Sequence, residues 1–139
     1  MVAGAPKSAS LLAACPLARP ALGGCAWCGQ PLPPRRRTWC SDRCGTSFWK
    51  NHWWTLARRA AKRRDKYRCT RCGHALPKRG CTRAQRKSGR LEVNHREPCR
   101  GAHARLSCAH HLENLETLCV PCHQEHTSAI RVARVTRAG

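Results

Sequence analysis

A small α+β fold, held together by ligated cysteines more than by apolar burial, is what this sequence predicts, and three observations predict it. Four close cysteine pairs, Cys25/Cys28, Cys40/Cys44, Cys69/Cys72 and Cys119/Cys122, stand among 12 cysteines in a chain of 139 residues. Two short stretches with strand character, "LEVNH" ending at His95 and "LENLETLCV" ending at Val120, are separated by a loop and followed by a helical pattern. A chain of this length has no room for a large core, so something besides apolar packing must hold it.

The cysteine spacing favours metal over disulfides. A Cys-x-x-Cys turn offers two thiolates to one ion at a zinc–sulfur distance of about 2.3 Å, whereas disulfide frameworks join cysteines distant in sequence and belong to secreted chains. Zinc is therefore the expected structural ion, and a reducing cytoplasm the expected compartment. Export would need an apolar run of roughly 7 or more residues near the start. The stretch before "LLAAC" holds a Pro, a Lys and two Ser, so its likeness to a lipoprotein cleavage box is read as accidental. No stretch approaches the roughly 20 apolar residues of a membrane span, and no membrane partner is expected.

Residues 1–24 are rich in Ala, Pro, Gly and Leu without a sustained period, and are expected to form a disordered tail with Cys15 a spare thiol. Residues 25–65 follow as a zinc knuckle and a basic helix. "CAWCGQPLPPRRRTWCSDRC" supplies Cys25, Cys28, Cys40 and Cys44, and four thiolates close a tetrahedral site that is structural rather than catalytic. The helix begins with Ser41 or Asp42 as N-cap. Trp49, Trp53, Leu56 and Ala60 recur at helical spacing as its apolar face, while Arg58, Arg59, Lys62, Arg63 and Arg64 crowd elsewhere. Packing is favoured over base stacking for the tryptophans, since aromatics at helical spacing beside a knuckle more often belong to a core.

Residues 66–139 form the last unit. Cys69 and Cys72 open it, and the basic stretch "HALPKRGCTRAQRKSGR" reads as a loop. "LEVNH" alternates as a strand, a loop runs to His111, and a turn leads into the second strand. Pro121 then takes the first helical position of a helix passing through His123 toward Val135. Cys69, Cys72, Cys119 and Cys122 make the second zinc set, divided by the strand–loop–strand insert.

The charge is the other strong signal. Lys and Arg number 27 against 7 Asp and Glu, a formal net charge of +20. Such a surface suits a polyanion, and nucleic acid, DNA or RNA, is the expected partner because phosphate neutralisation with counterion release gives affinity without regard to sequence. Arg58, Arg59, Arg63 and Arg64 are the candidate phosphate contacts. Part of the excess is open to a plainer origin in an arginine-heavy composition.

His123 stands directly behind Cys122, and with four cysteines completing the zinc it is not needed as a fifth ligand. The ordered set "VNH … ENLETLC … CH" resembles the HNH nuclease family of the ββα-metal fold, in its zinc-bearing branch, over about residues 66–130. That resemblance implies metal-dependent hydrolysis of DNA phosphodiester bonds, leaving 5′-phosphate and 3′-hydroxyl ends. It implies His95 as the general base, and His123 with Asn94 as ligands of a catalytic Mg²⁺, Mn²⁺ or other divalent ion. Asn114 would bond backbone groups across the loop and so fix His95. The residue before the base is often Asp or His in the family, and Asn94 offers only a neutral amide oxygen, with less charge to hold the ion. "WCSDRCGTSFWKNHWW" with its upstream Cys-x-x-Cys resembles the treble-clef-like knuckle that precedes the nuclease unit in some HNH proteins.

Plainer readings stand beside these. Taken singly, His123 is open to being an alternate zinc ligand and Asn114-Leu115 to being turn chemistry. The alternative for the whole chain is a non-catalytic zinc-finger protein that binds nucleic acid. His110 and His111 are read as solvent-facing loop residues, with a phosphate or metal contact as the other possibility. Cys81, Cys99 and Cys108 have no named partner; the last two flank the loop and either join a further metal or pack.

Overall fold

The computed structural model describes residues 5–76 and 79–138, with side chains from residue 9 onward in the first helix. Expectations touching residues 1–4, Pro77, Lys78 and Gly139 lie outside the described residues. The chain divides into two compact units, Met1–Ala57 with Glu97–Leu112, and Arg58–Arg96 with Glu113–Gly139. This departs from the expected division at residues 65 and 66. The loop after the first strand belongs to the first unit because its backbone is tied to a helix there: Ser107 N–H donates to the His52 carbonyl at 3.2 Å, and Leu112 N–H to Asn51 Oδ1 at 3.0 Å.

The first unit opens with α1 (Ala5–Ala14), where a tail without structure was expected. Alanine and leucine are the strongest helix formers, and the helix delivers Leu12 and Cys15 to buried positions. The first knuckle follows. Cys25 N–H donates to the Gln30 carbonyl at 2.8 Å and Gly29 N–H to the Cys25 carbonyl at 2.9 Å. Gly29 has φ +78, and a Cβ there would collide with the Arg19 carbonyl oxygen, so only glycine fits.

Ser41 caps α2 (Asp42–His52), its Oγ accepting from Cys44 N–H at 3.4 Å. The helix stops at Trp53, whose backbone is extended, and α3 (Trp54–Arg64) starts anew. This break overturns the expected face. Trp53 and Leu56 are exposed, and the buried positions are Phe48, His52, Ala57 and Ala61. Phe48 selects that face by collecting the aromatic rings. Trp39 and Trp49 each stand 5.1 Å from it between centroids, and His52 stacks on it at 4.6 Å. Trp39 and Trp49 thus serve packing, through Phe48.

The second unit takes over within α3, at Arg58, and α3 ends in a reverse turn. Tyr67 N–H donates to the Lys62 carbonyl and Lys66 N–H to the Arg63 carbonyl, with Lys66 in the left-handed region at φ 54. The second knuckle repeats the first: Cys69 N–H to the His74 carbonyl at 2.8 Å, Gly73 N–H to the Cys69 carbonyl at 2.9 Å, and Gly73 at φ +77. The basic stretch expected to be loop contains α4 (Arg83–Ser88). It is set by a capping box in which Gln85 N–H donates to Thr82 Oγ1 and Thr82 N–H to Gln85 Oε1.

Strands β1 (Leu91–His95) and β2 (Leu115–Cys119) pair antiparallel, with Asn94 opposite Glu116 and His95 opposite Leu115, and α5 (Val120–Ala138) follows. All five residues of β2 are buried. Its far edge is covered as well: Thr117 N–H donates to Asp65 Oδ2, and the Thr117 carbonyl accepts from Thr70 N–H. A strand edge satisfied this way offers no site for further pairing. Leu118, Cys69 and Cys119 form the small core, with Leu91 and Cys122 against it. The protein is thus a small α+β fold with one two-stranded antiparallel sheet. None of its described helices is long and apolar enough to cross a membrane.

Candidate functional site

Both expected four-cysteine sets gather. Cys25, Cys28, Cys40 and Cys44 converge in the first unit, and Cys69, Cys72, Cys119 and Cys122 in the second. Sulfur–sulfur distances are 3.5 Å for Cys28–Cys40, 3.6 Å for Cys40–Cys44 and 3.6 Å for Cys72–Cys119. A tetrahedron with zinc–sulfur bonds of about 2.3 Å has edges of roughly 3.8 Å, so the spacing suits one ion in each set. All 12 cysteines are free thiols, with no disulfide.

The electrostatics point the same way. Burial pushes the Cys25 thiol up, but the backbone N–H groups of Cys28, Cys40 and Trp27 outweigh it and bring the thiol down to about 6. Cys69 repeats the pattern, its burial outweighed by the backbone of Cys72, Cys119 and Arg71, and reaches about 6. Their partners move oppositely. Burial, with Cys40 adding to it, pushes Cys44 up to about 12, while the Cys119 thiol and burial push Cys122 up. One thiolate per set is stabilised by the backbone, while Cys44 and Cys122 are held toward the neutral thiol, a balance that a bound cation reverses. Zinc binding to these sets is what the donor chemistry supports.

The residues read as catalytic lie around β1, β2 and the first turn of α5. Asn94 and His95 are buried at the end of β1. Asn114 stands immediately before β2, and its carbonyl accepts from Arg96 N–H at 2.8 Å, tying the residue after His95 to the residue before β2. Asn94 Nδ2 donates to Glu116 Oε1 at 3.1 Å, and Glu116 is paired with Arg71 at 3.0 Å. His123 Nδ1 lies 2.5 Å from Glu92 Oε2. The His123 ring holds the Glu92 carboxyl below its ordinary value, with Arg90 adding to the effect against burial. Strand alternation puts Glu92 and Asn94 on one face of β1 and His95 on the other. Glu92 was not singled out in the sequence, although the alternation of "LEVNH" already aligns it with Asn94. Among the described residues, His123 does not join two other His, Cys, Asp or Glu groups in a metal-sized cluster.

All four arginines expected on DNA, Arg58, Arg59, Arg63 and Arg64, are exposed. Arg64 has a structural task as well: it pairs with Asp65 at 2.8 Å and donates to the Leu115 carbonyl at 2.6 Å.

A further group gathers that the spacing of the sequence does not assemble: Cys15, His52, Cys108 and His111, all in the first unit. Cys15 was expected to be a spare thiol and His111 to face solvent, yet both are buried, as are His52 and His110. His110 is held by the His103 carbonyl at 3.2 Å and lies against the Trp54 ring. Burial lowers His52, and burial together with His52 and His110 lowers His111 to about 4. The sequence carried one signal for this group, the Cys-x-x-His spacing of Cys108 and His111.

No family model, curated protein or solved structure matches the chain. Its functional reading therefore stands on its own residues.

Proposed function

We propose that the chain is a metal-dependent HNH-type endonuclease that hydrolyses DNA phosphodiester bonds. The observation that carries this reading is the Glu92–His123 pair within the β1–β2–α5 order. A carboxylate can only accept, so His123 Nδ1 carries the proton and Nε2 presents its lone pair. A carboxylate behind an imidazole in this way is how metal-ligating histidines are oriented and made more basic. The Asn94 amide gives its nitrogen to Glu116, which leaves Oδ1 as a hard oxygen ligand. One imidazole nitrogen and one amide oxygen fit a divalent ion that keeps several waters, as Mg²⁺ and Mn²⁺ do.

His95 is the general base, acting from the last position of β1 on the face opposite Asn94. An imidazole nitrogen takes a proton from the attacking water through its lone pair. The water oxygen then bonds to phosphorus while the bond to the 3′ oxygen breaks, leaving a 5′-phosphate and a 3′-hydroxyl. His123 and Asn94 would hold a divalent ion, which would supply charge stabilisation for the leaving oxygen. Asn114 positions: its carbonyl fixes the backbone immediately after His95. Arg58, Arg59 and Arg63 bring the DNA backbone to the protein through a net charge of +20.

One observation favours a second reading, a non-catalytic zinc protein that binds nucleic acid. Asn94 is neutral and its amide is already engaged by Glu116. The test is zinc-loaded full chain incubated with supercoiled plasmid in Mg²⁺ or Mn²⁺. Nicked or linear product that disappears in the His123→Ala variant, with zinc content unchanged, supports the nuclease. Intact plasmid across divalent ions, with DNA binding retained, establishes the second reading instead.

A further inference from the structure

We propose that Cys15, His52, Cys108 and His111 form a third zinc site, of the two-cysteine, two-histidine class, which clamps the segment ending in Cys15 and the 97–112 loop onto the C-terminal end of α2. The four ligand atoms lie within 4.8 Å of one another. Cys15 Sγ is 3.3 Å from His52 Nε2 and 3.4 Å from His111 Nε2, and the two Nε2 atoms are 3.1 Å apart. Zinc bonds of about 2.0–2.1 Å to nitrogen and 2.3 Å to sulfur give a tetrahedron with edges of roughly 3.3 Å between nitrogens and roughly 3.6 Å between nitrogen and sulfur. The separations match an ion-sized hole, and the donors match zinc rather than a hard cation.

The histidine orientation is specific. His52 Nδ1 lies 2.7 Å from the Phe48 carbonyl, which can only accept, so the proton sits on Nδ1 and Nε2 turns its lone pair into the cluster. Phe48 is thus the outer support of a ligand as well as the centre of the aromatic core. The ligand-bearing turn is held by hydrogen bonds of its own. Ser107 Oγ accepts from Ala109 N–H at 3.0 Å, His111 N–H donates to the Cys108 carbonyl at 3.2 Å, and Leu112 N–H to Asn51 Oδ1 at 3.0 Å. Cys108 and His111 therefore reach one side of the cluster from a fixed turn, and Cys15 and His52 the other from two helix ends. Three ligands are buried, Cys15 at 5% exposure, His52 at 0% and His111 at 4%. A cluster of thiols and imidazoles so withdrawn from water gains its compensation from a bound cation.

The site has a consequence for the chain between the strands. Residues 97–112 connect β1 to β2, and their far end is anchored by two ligands of this ion. Removing it releases both that loop and the segment leading to Cys15.

The test is zinc stoichiometry of the full chain by native mass spectrometry, with X-ray absorption at the zinc edge on the same sample. Three ions per chain, with imidazole nitrogen making up about one-sixth of the zinc ligands, is the expected result. Two ions with sulfur ligands alone overturn the proposal, as does a Cys15–Cys108 disulfide in the isolated protein. His111→Ala and Cys108→Ser should each lose one ion, keep two, and make the 97–112 loop a new site of proteolysis. Retention of three ions in both variants also overturns it. The absorption measurement on wild type decides the matter even if a variant fails to fold.

Discussion

Two acidic residues have specific partners at the scale of single side chains. Glu92 holds the His123 ring, so Glu92→Ala should leave the zinc sets intact and raise the Mg²⁺ or Mn²⁺ concentration for half-maximal cleavage by roughly 10–100-fold. An unchanged metal titration would remove Glu92 from the site. Asp65 takes Thr117 N–H and the Arg64 guanidinium. Its burial alone would raise the carboxyl, but these partners bring it below its ordinary value. A depressed carboxyl contributes stability fully above its unfolded pKa near 4 and loses it as pH falls through the folded value. Asp65→Asn should therefore cost about 2 kcal/mol, the size of a hydrogen bond to a charged group, and the loss should be flat from pH 5 to 8 in urea unfolding of the zinc-loaded chain. A loss that varies across that window would contradict the assignment. Asn94, His95, Asn114 and His123 stand out in the sequence because each has a position in an ordered motif. Glu92 does not, since alternation says which face it takes and not which ring on α5 it meets.

At the scale of elements, the two knuckles share one hydrogen-bond pattern and differ in what surrounds their glycines. A Cβ at Gly29 would strike the Arg19 carbonyl, whereas nothing lies within 4 Å of one at Gly73. Both have positive φ, so Gly73→Ala should cost only the left-handed backbone penalty of about 1–2 kcal/mol. Gly29→Ala should cost clearly more and weaken zinc at the first knuckle. Equal effects in thermal unfolding would mean that the Arg19 carbonyl yields freely. β1, β2, α5 and the Ser41 cap were legible because their signals are local: alternation, Pro121 and a serine before a helix. α4 was missed although Thr82 and Gln85 spell a capping box, because the basic composition around them suggested loop. The α2–α3 break had no local signal. It follows Phe48 and His52 into a shared buried cluster, which spacing on one helix does not reveal.

For the whole molecule, the division into units follows ligands more than sequence order. The pairs Cys25/Cys28 and Cys69/Cys72 announced two metal sets by spacing alone. The Cys15, His52, Cys108 and His111 cluster did not announce itself, because three parts of the chain supply it. Charge acts at this scale too. DNA affinity should fall log-linearly with salt, and replacing Arg58, Arg59 and Arg63 by Ser should reduce the slope by about 0.9 for each phosphate that the variant no longer neutralises. A flat salt response in binding titrations would show the basic excess to be compositional. Arg64→Ser belongs to a different class: it should lower stability, since that side chain also holds Asp65 and the Leu115 carbonyl.

The decisive measurement is the single-turnover rate of plasmid cleavage by wild type and by His95→Ala, with zinc content and DNA affinity matched between them. Loss of the general base should slow cleavage by about 10²–10⁴-fold while zinc and binding stay unchanged. Equal rates in the two proteins, or no cleavage by wild type with any divalent ion, would contradict the nuclease.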